Sequence, residues 1–85
     1  SPVALRNLNA IERRIARDRP VAAVRFVDRL WAAGQGLSEK PERGKPTASG
    51  MRELTTVRPY LIRYYVRENR VVIAEVRHGA RRRKP

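Results

Sequence analysis

Residues 51–85 read MRELTTVRPYLIRYYVRENRVVIAEVRHGARRRKP, and this stretch decides the fold. Val57, Tyr60, Leu61, Ile62, Tyr64, Tyr65 and Val66 form one apolar run; Val71, Val72, Ile73 and Val76 form a second. β-Branched and aromatic side chains suit a pleated, half-buried surface. Between the runs lies the short polar segment Arg67-Glu68-Asn69-Arg70. Asparagine tolerates positive φ, so a tight turn at Asn69 predicts a β-hairpin over 60–77. Two registers are open. A two-residue loop at Glu68-Asn69 pairs Val66 with Val71 and Tyr64 with Ile73. A loop one residue longer pairs Val66 with Val72 and turns the other face of the second strand to the core. Arg52-Glu53-Leu54-Thr55-Thr56 reads as an earlier strand, with Pro59 forcing a break before the next. The stretch is then a three-stranded meander over 51–78 followed by a basic tail over 79–85. Tyr64 and Tyr65 alternate, so at least one of them points away from the core.

Upstream, the apolar period changes from strand to helix. Ser1 at an N-cap and Pro2 at the first helical position start a helix that runs to about Arg17. Ala4, Leu5, Leu8, Ile11 and Ile15 form its buried stripe, with Arg6, Arg13, Arg14 and Arg17 mostly off it. Asp18-Arg19-Pro20 breaks this helix and starts the next, with Asp18 or Arg19 at its N-cap and Asp18 the chemically better of the two. The second helix covers 20–33, its stripe being Ala23, Phe26, Val27, Leu30 and Trp31, and Gly34 fits the position just beyond its end. Residues 1–33 are thus a helical hairpin. Residues 34–50, GQGLSEKPERGKPTASG, read as a loop with Leu37 as a single anchor into the core. A loop of this length in a small domain points to a functional surface or to mobility. The order α-α-β-β-β predicts one α+β domain over 1–85, with a helical hairpin packed on a small antiparallel sheet.

The bulk numbers limit the function. A chain of 85 residues makes one domain and buries roughly 60% of its unfolded surface. There is no cysteine and one histidine, and no glycine-rich phosphate loop, so metal, cofactor and nucleotide sites have no support. No apolar run approaches the roughly 18 residues of a membrane span, and no signal-peptide pattern is present; a membrane partner is not expected. The chain begins with Ser1 rather than Met, so native residues are expected ahead of it. The net charge is +12, and arginine outnumbers lysine 17 to 3. Such a chain needs an acidic partner, and arginine favours bidentate contact with carboxylate or phosphate. GC-rich coding also raises the arginine share, but it does not account for the net charge.

Four stretches, taken together, resemble a known family. They are Ser1-Pro2 with Ala4, Leu5 and Leu8; Arg19-Pro20 with Ala22 and Ala23; Leu37, Pro41, Gly44 and Gly50-Met51-Arg52-Glu53-Leu54; and Tyr60-Leu61-Ile62 with Tyr64, Val72, Val76, His78 and Arg81. Their order and spacing are similar to those of the ParE branch of the RelE/ParE superfamily, the toxins of bacterial type II toxin–antitoxin systems. The resemblance implies a β-α-α-β-β-β fold whose first strand is missing from this chain. Either that strand lies outside these residues or the sheet has an unpaired edge. It also implies a bacterial cytoplasmic protein that inhibits growth and acts in plasmid stabilisation.

The superfamily divides into two mechanisms. ParE-like members inhibit DNA gyrase and perform no chemistry. RelE-like members cut messenger RNA on the ribosome, which requires a base, an acid and cations for the phosphorane charge. The ribonuclease branch resembles a set with Arg on the third strand and Lys, Arg, His or Tyr near the C-terminus. Here Leu61 stands at the third-strand position, and no tyrosine follows Tyr65. The leading expectation is therefore a gyrase inhibitor whose Arg81, Arg82, Arg83 and His78 meet the gyrase–DNA target. The alternative is a ribosome-dependent ribonuclease with His78, Arg77 and Arg81 at its site. A third expectation is a basic nucleic-acid binder without toxicity. In either toxin reading a cognate antitoxin, ParD-like with an acidic segment, forms a hetero-oligomer with the chain. Leu5, Leu8 and Trp31 are its expected apolar contacts, and Arg13, Arg14 and Arg17 its expected charged ones. The plainer readings are a histidine satisfied at a strand end, a solvated tail, a tryptophan in the core, and a local salt bridge between Arg52 and Glu53.

Overall fold

The computed structural model of the chain describes residues 1–79. Helix α1 (Pro2–Ala16) begins as the sequence dictates: Ser1 Oγ accepts the Ala4 backbone N–H at 3.3 Å, and Pro2 occupies the first turn. Helix α2 (Pro20–Gly36) starts at the second of the two expected cap positions, not at the chemically better one. Its N-cap is Arg19, which makes no side-chain capping bond. The reason lies in α1: both the Asp18 and Arg19 N–H groups donate to Ile15 O, so Asp18 closes the first helix instead of opening the second. Gly34 does not end α2 either. The helix continues through Gly36, and Leu37, wholly buried, follows as its C-cap in right-handed geometry. Glycine inside a helix costs about 1 kcal/mol relative to alanine; the added turn carries Leu37 into the core, and burying a leucine contributes roughly 1.5–3 kcal/mol.

The sheet has four strands, not three. They are β1 (Lys45–Pro46), β2 (Arg52–Leu54), β3 (Tyr60–Arg67) and β4 (Arg70–His78), antiparallel in the order β1-β2-β3-β4. The expected loop over 34–50 therefore holds the end of α2, a single 3-10 turn at Pro41–Arg43 and an edge strand. β2 stops at Leu54, two residues short of the expected Thr56.

The hairpin takes the shorter of the two open registers: Val66 pairs with Val71, and Tyr64 with Ile73. Glu68 and Asn69 both have positive φ, 52° and 62°, as a two-residue turn matched to strand twist requires. Beyond Ile73 the register shifts by one. Arg63 pairs with Glu75 and Ile62 with Val76, leaving Ala74 as the extra residue of a β-bulge. This bulge resolves a phase change in the sequence. Val71 and Ile73 pack on the helices, and so does Val76, three residues further on. Without the inserted residue Glu75 would face the core.

The core joins Ala4, Leu8, Leu30, Leu37, Leu54, Val57, Ile62, Tyr64 and Val76. Tyr64 is wholly buried and ties the loop to the sheet: its hydroxyl donates to Pro41 O at 2.6 Å and accepts the Gly44 N–H at 2.7 Å. Arg52 reinforces the same loop, donating to Gly44 O at 2.7 Å and to Glu42 O at 3.2 Å. Arg52 and Glu53 do not pair with each other, because neighbouring strand residues point to opposite faces. Helix α1 lies along the outer edge of β4. Asn7 Oδ1 accepts the Val76 N–H at 3.0 Å, and Ser1 Oγ donates to Ala74 O at 3.4 Å. These two side-chain bonds satisfy backbone groups on the outer edge of β4.

Candidate functional site

Three surfaces carry chemistry, and α1 borders two of them. The first is an apolar groove of about 520 Å³ between the start of α1, the end of α2 and the hairpin end of β4. Leu8 and Leu30 form its buried floor, while Leu5 (51% exposed) and Trp31 (52% exposed) stand at its sides. The sequence assigned both of these to buried stripes. A helical hairpin has two flanks, and the sheet covers the stripe only as far as Leu8 and Leu30. Leu5 and Trp31 lie one step beyond on each helix. Among the described residues, Arg70 is the cationic side chain in the lining of this groove.

The second is a cleft of about 540 Å³ on another flank of α1, against the end of β4. Asn7, Ala10, Ile11 and Arg14 come from the helix, and Tyr60 and His78 from the sheet. The Tyr60 and His78 rings, paired across the strands, meet edge to face with centroids 5.6 Å apart. Tyr60 makes the same kind of contact with Phe26 on its other side, at 5.6 Å. His78 is therefore packed at the strand end and also borders a cleft.

The third is the sheet face turned away from the helices. Strand pairing sets Glu53, Arg63 and Glu75 in a row across β2, β3 and β4. Arg63 is 6% exposed, a buried cation held between two carboxylates. Its Nη1 donates to Glu75 Oε2 at 3.2 Å, and its Nε lies 3.5 Å from Glu53 Oε2. Nη2 donates to Ser49 Oγ at 3.3 Å. Arg77 joins the row, 3.5 Å from Glu75 Oε1 and 4.0 Å from Glu53 Oε2. Two arginines and two glutamates cancel within the row; strand pairing also puts exposed Lys45 beside Glu53 and exposed Arg67 beside Arg70 on this face. Sequence reasoning passed over Arg63. The signal available was its strand position between Leu61 and Tyr65, an alternation that places all three on one face.

The expected site residues are thus dispersed. Leu5, Leu8 and Trp31 meet in the groove, and Arg14 and His78 meet in the cleft. Arg13 and Arg17 are exposed on α1 and line neither. Arg77 belongs to the ion-pair row and also touches the cleft. Arg81, Arg82 and Arg83 lie outside the described residues. Among the described residues no three histidine, aspartate or glutamate side chains converge as a metal site, and no helix is long and apolar enough to cross a membrane.

Residues 1–83 match the family described as ParE toxin of type II toxin–antitoxin system, parDE. The chain belongs to this family. Two relatives from Caulobacter vibrioides extend the likeness. Toxin RelE2 is 46% identical over 78 residues, covering 92% of this chain and 89% of the relative. Toxin RelE3 is 32% identical over 85 residues, covering 96% and 92%. The chain is the toxin of a type II toxin–antitoxin system, which implies an antitoxin partner. Its two helices on an antiparallel sheet are the α+β architecture expected of the RelE/ParE superfamily. The family description and the relatives' names point to different branches of that superfamily, so the choice of target rests on the site.

Proposed function

We propose that this toxin inhibits DNA gyrase on DNA in the bacterial cytoplasm and is silenced when its antitoxin occupies the Leu5–Trp31 groove. The observation that carries the target reading is the neutral ion-pair row on the open sheet face. A ribonuclease on that face needs cations free to meet the phosphorane. Here Arg63 and Arg77 are engaged by Glu53 and Glu75, and Leu61 at the third-strand position is buried. An RNA phosphate brought to this row meets two carboxylates as well as two guanidiniums. The RelE names of the relatives favour the second reading, a ribosome-dependent ribonuclease using His78, Arg77 and Arg81. Cleaved transcripts in intoxicated cells, lost with His78→Ala, are the result that reading requires.

The antitoxin reading rests on the groove. Two large apolar side chains half exposed at the sides of a concave surface suit an amphipathic helix or strand. An acidic residue flanking that segment suits Arg70 in the groove lining. Tryptophan at the side of such a groove is the residue type that most often dominates an interface. Trp31→Ala is expected to weaken antitoxin binding by about 2 kcal/mol or more, roughly 30-fold in Kd. The toxin itself stays folded, because Trp31 contributes little to its core. Isothermal titration of the variant against the antitoxin reads this directly, and an unchanged affinity would place the antitoxin elsewhere.

A further inference from the structure

We propose that the cleft between α1 and the end of β4 binds a phosphate group of a nucleic-acid backbone. Among the described residues, the cleft is lined by hydrogen-bond donors and by no carboxylate side chain. The Val76 N–H donates to Asn7 Oδ1, which fixes the amide so that Nδ2, the donor end, is left for a ligand. Arg14 is exposed, and among the described residues it has no ion-pair partner. Its planar guanidinium suits two oxygens of one phosphate. Asn7, Ala10 and Arg14 fall at i, i+3 and i+7, so one flank of the helix presents both donors with a small residue between them. Ile11 and Val76 supply an apolar floor, which excludes water and strengthens a charged hydrogen bond.

A polymer of phosphates fits better than the carboxylate of a protein partner. Arg6, Arg13 and Arg17 form the adjacent stripe on α1, all exposed. They extend the positive surface along the helix, beyond the reach of a single acidic side chain. The large exposed apolar side chains that a protein partner would cover, Leu5 and Trp31, belong to the other groove. Counterion release from a polyanion along such a row gives affinity without base contacts. The inference goes beyond the gyrase reading and does not rest on it, since both a gyrase–DNA complex and a ribosome present phosphodiesters.

The test uses the full chain, isotope-labelled for NMR. Inorganic phosphate, titrated at constant ionic strength, is expected to give saturating shifts at the Asn7 side-chain amide and Arg14 Nε–H. A short DNA duplex or a short RNA is expected to move the same signals. Asn7→Asp keeps an acceptor for the Val76 N–H but places a carboxylate in the cleft, and it should abolish the phosphate shifts. Arg14→Ala, at an exposed helix position, guards against misfolding of the first variant. It should lower duplex affinity and reduce the log–log salt slope by about one. Shifts spread without saturation over all the exposed arginines would overturn the proposal. So would saturation of these signals by a glutamate-rich peptide but by neither nucleic acid. If gyrase is inhibited while Arg14→Ala leaves the salt slope unchanged, the cleft fails and the gyrase reading stands.

Discussion

Gly44→Ala is expected to lower the stability of the toxin by about 2–4 kcal/mol, a large part of what a domain this small has. Gly44 has an ordinary extended backbone with φ −73°, so conformational freedom is not the reason. The reason is close approach. A Cβ at this position would lie 2.5 Å from the Tyr64 hydroxyl and 2.6 Å from Cε1 of its ring. Tyr64 cannot move aside, because it is wholly buried and its hydroxyl holds both Gly44 N–H and Pro41 O. The added methyl therefore either overpacks the ring or breaks both hydrogen bonds, and it detaches the 3-10 turn and β1 from the sheet. Tyr64→Phe removes only the hydrogen bonds and should cost about 1–3 kcal/mol, less than Gly44→Ala. Urea denaturation of the three proteins gives this order directly. Equal stability of Gly44→Ala and the parent would show that the loop does not depend on the tyrosine.

Arg63→Ala should be comparably severe, at about 3 kcal/mol. Breaking a wholly buried ion pair costs roughly 3–5 kcal/mol, because the partner charge is stranded. Here Glu53 and Glu75 are part-exposed, at 29% and 17% for their side chains, and Arg77 remains beside both, so the loss falls at the lower end. A triple replacement, Arg63→Met with Glu53→Gln and Glu75→Gln, removes the charges together and should recover most of the stability. Thermal unfolding at two salt concentrations separates this row from a surface pair. The Arg63→Ala deficit should change little with salt, because a buried cluster is weakly screened. A triple variant no more stable than the single would mean that the side chain contributes by packing and not by charge.

The parts of this fold legible in the sequence are those written in local periodicity. Most of the α1 stripe, the Ser1 cap, a tight turn at Asn69 with its register left open, and the Leu37 anchor each follow from residues within a few positions of one another. What was missed depends on distant partners. Trp31 keeps helical spacing with Val27, and although it is also an expected partner contact, spacing alone does not tell which flank of a stripe the sheet will cover. Gly34 reads as a helix end until the burial of Leu37 outweighs the local cost of a helical glycine. A two-residue strand such as Lys45–Pro46 has no period at all; it exists because Tyr64 and Arg52 hold the backbone around Gly44 against β2. The ion-pair row needed the bulge at Ala74, since an unbroken register sets Ala74 opposite Arg63 and turns Glu75 inward. The change from odd to even positions between Ile73 and Val76 was the visible trace of that bulge. Of the expected site residues, Arg14 and His78 lie 64 positions apart (78 minus 14) yet line one cleft, which no spacing rule could reveal.

The central claim, that this toxin acts on gyrase and not on messenger RNA, is tested most directly by purified protein incubated with gyrase, ATP and relaxed plasmid. The expected result is loss of supercoiling with accumulation of cleaved, gyrase-linked DNA, reversed by adding the antitoxin. Normal supercoiling, together with cleavage of messenger RNA on translating ribosomes, would contradict it and assign His78, Arg77 and Arg81 to a ribonuclease site.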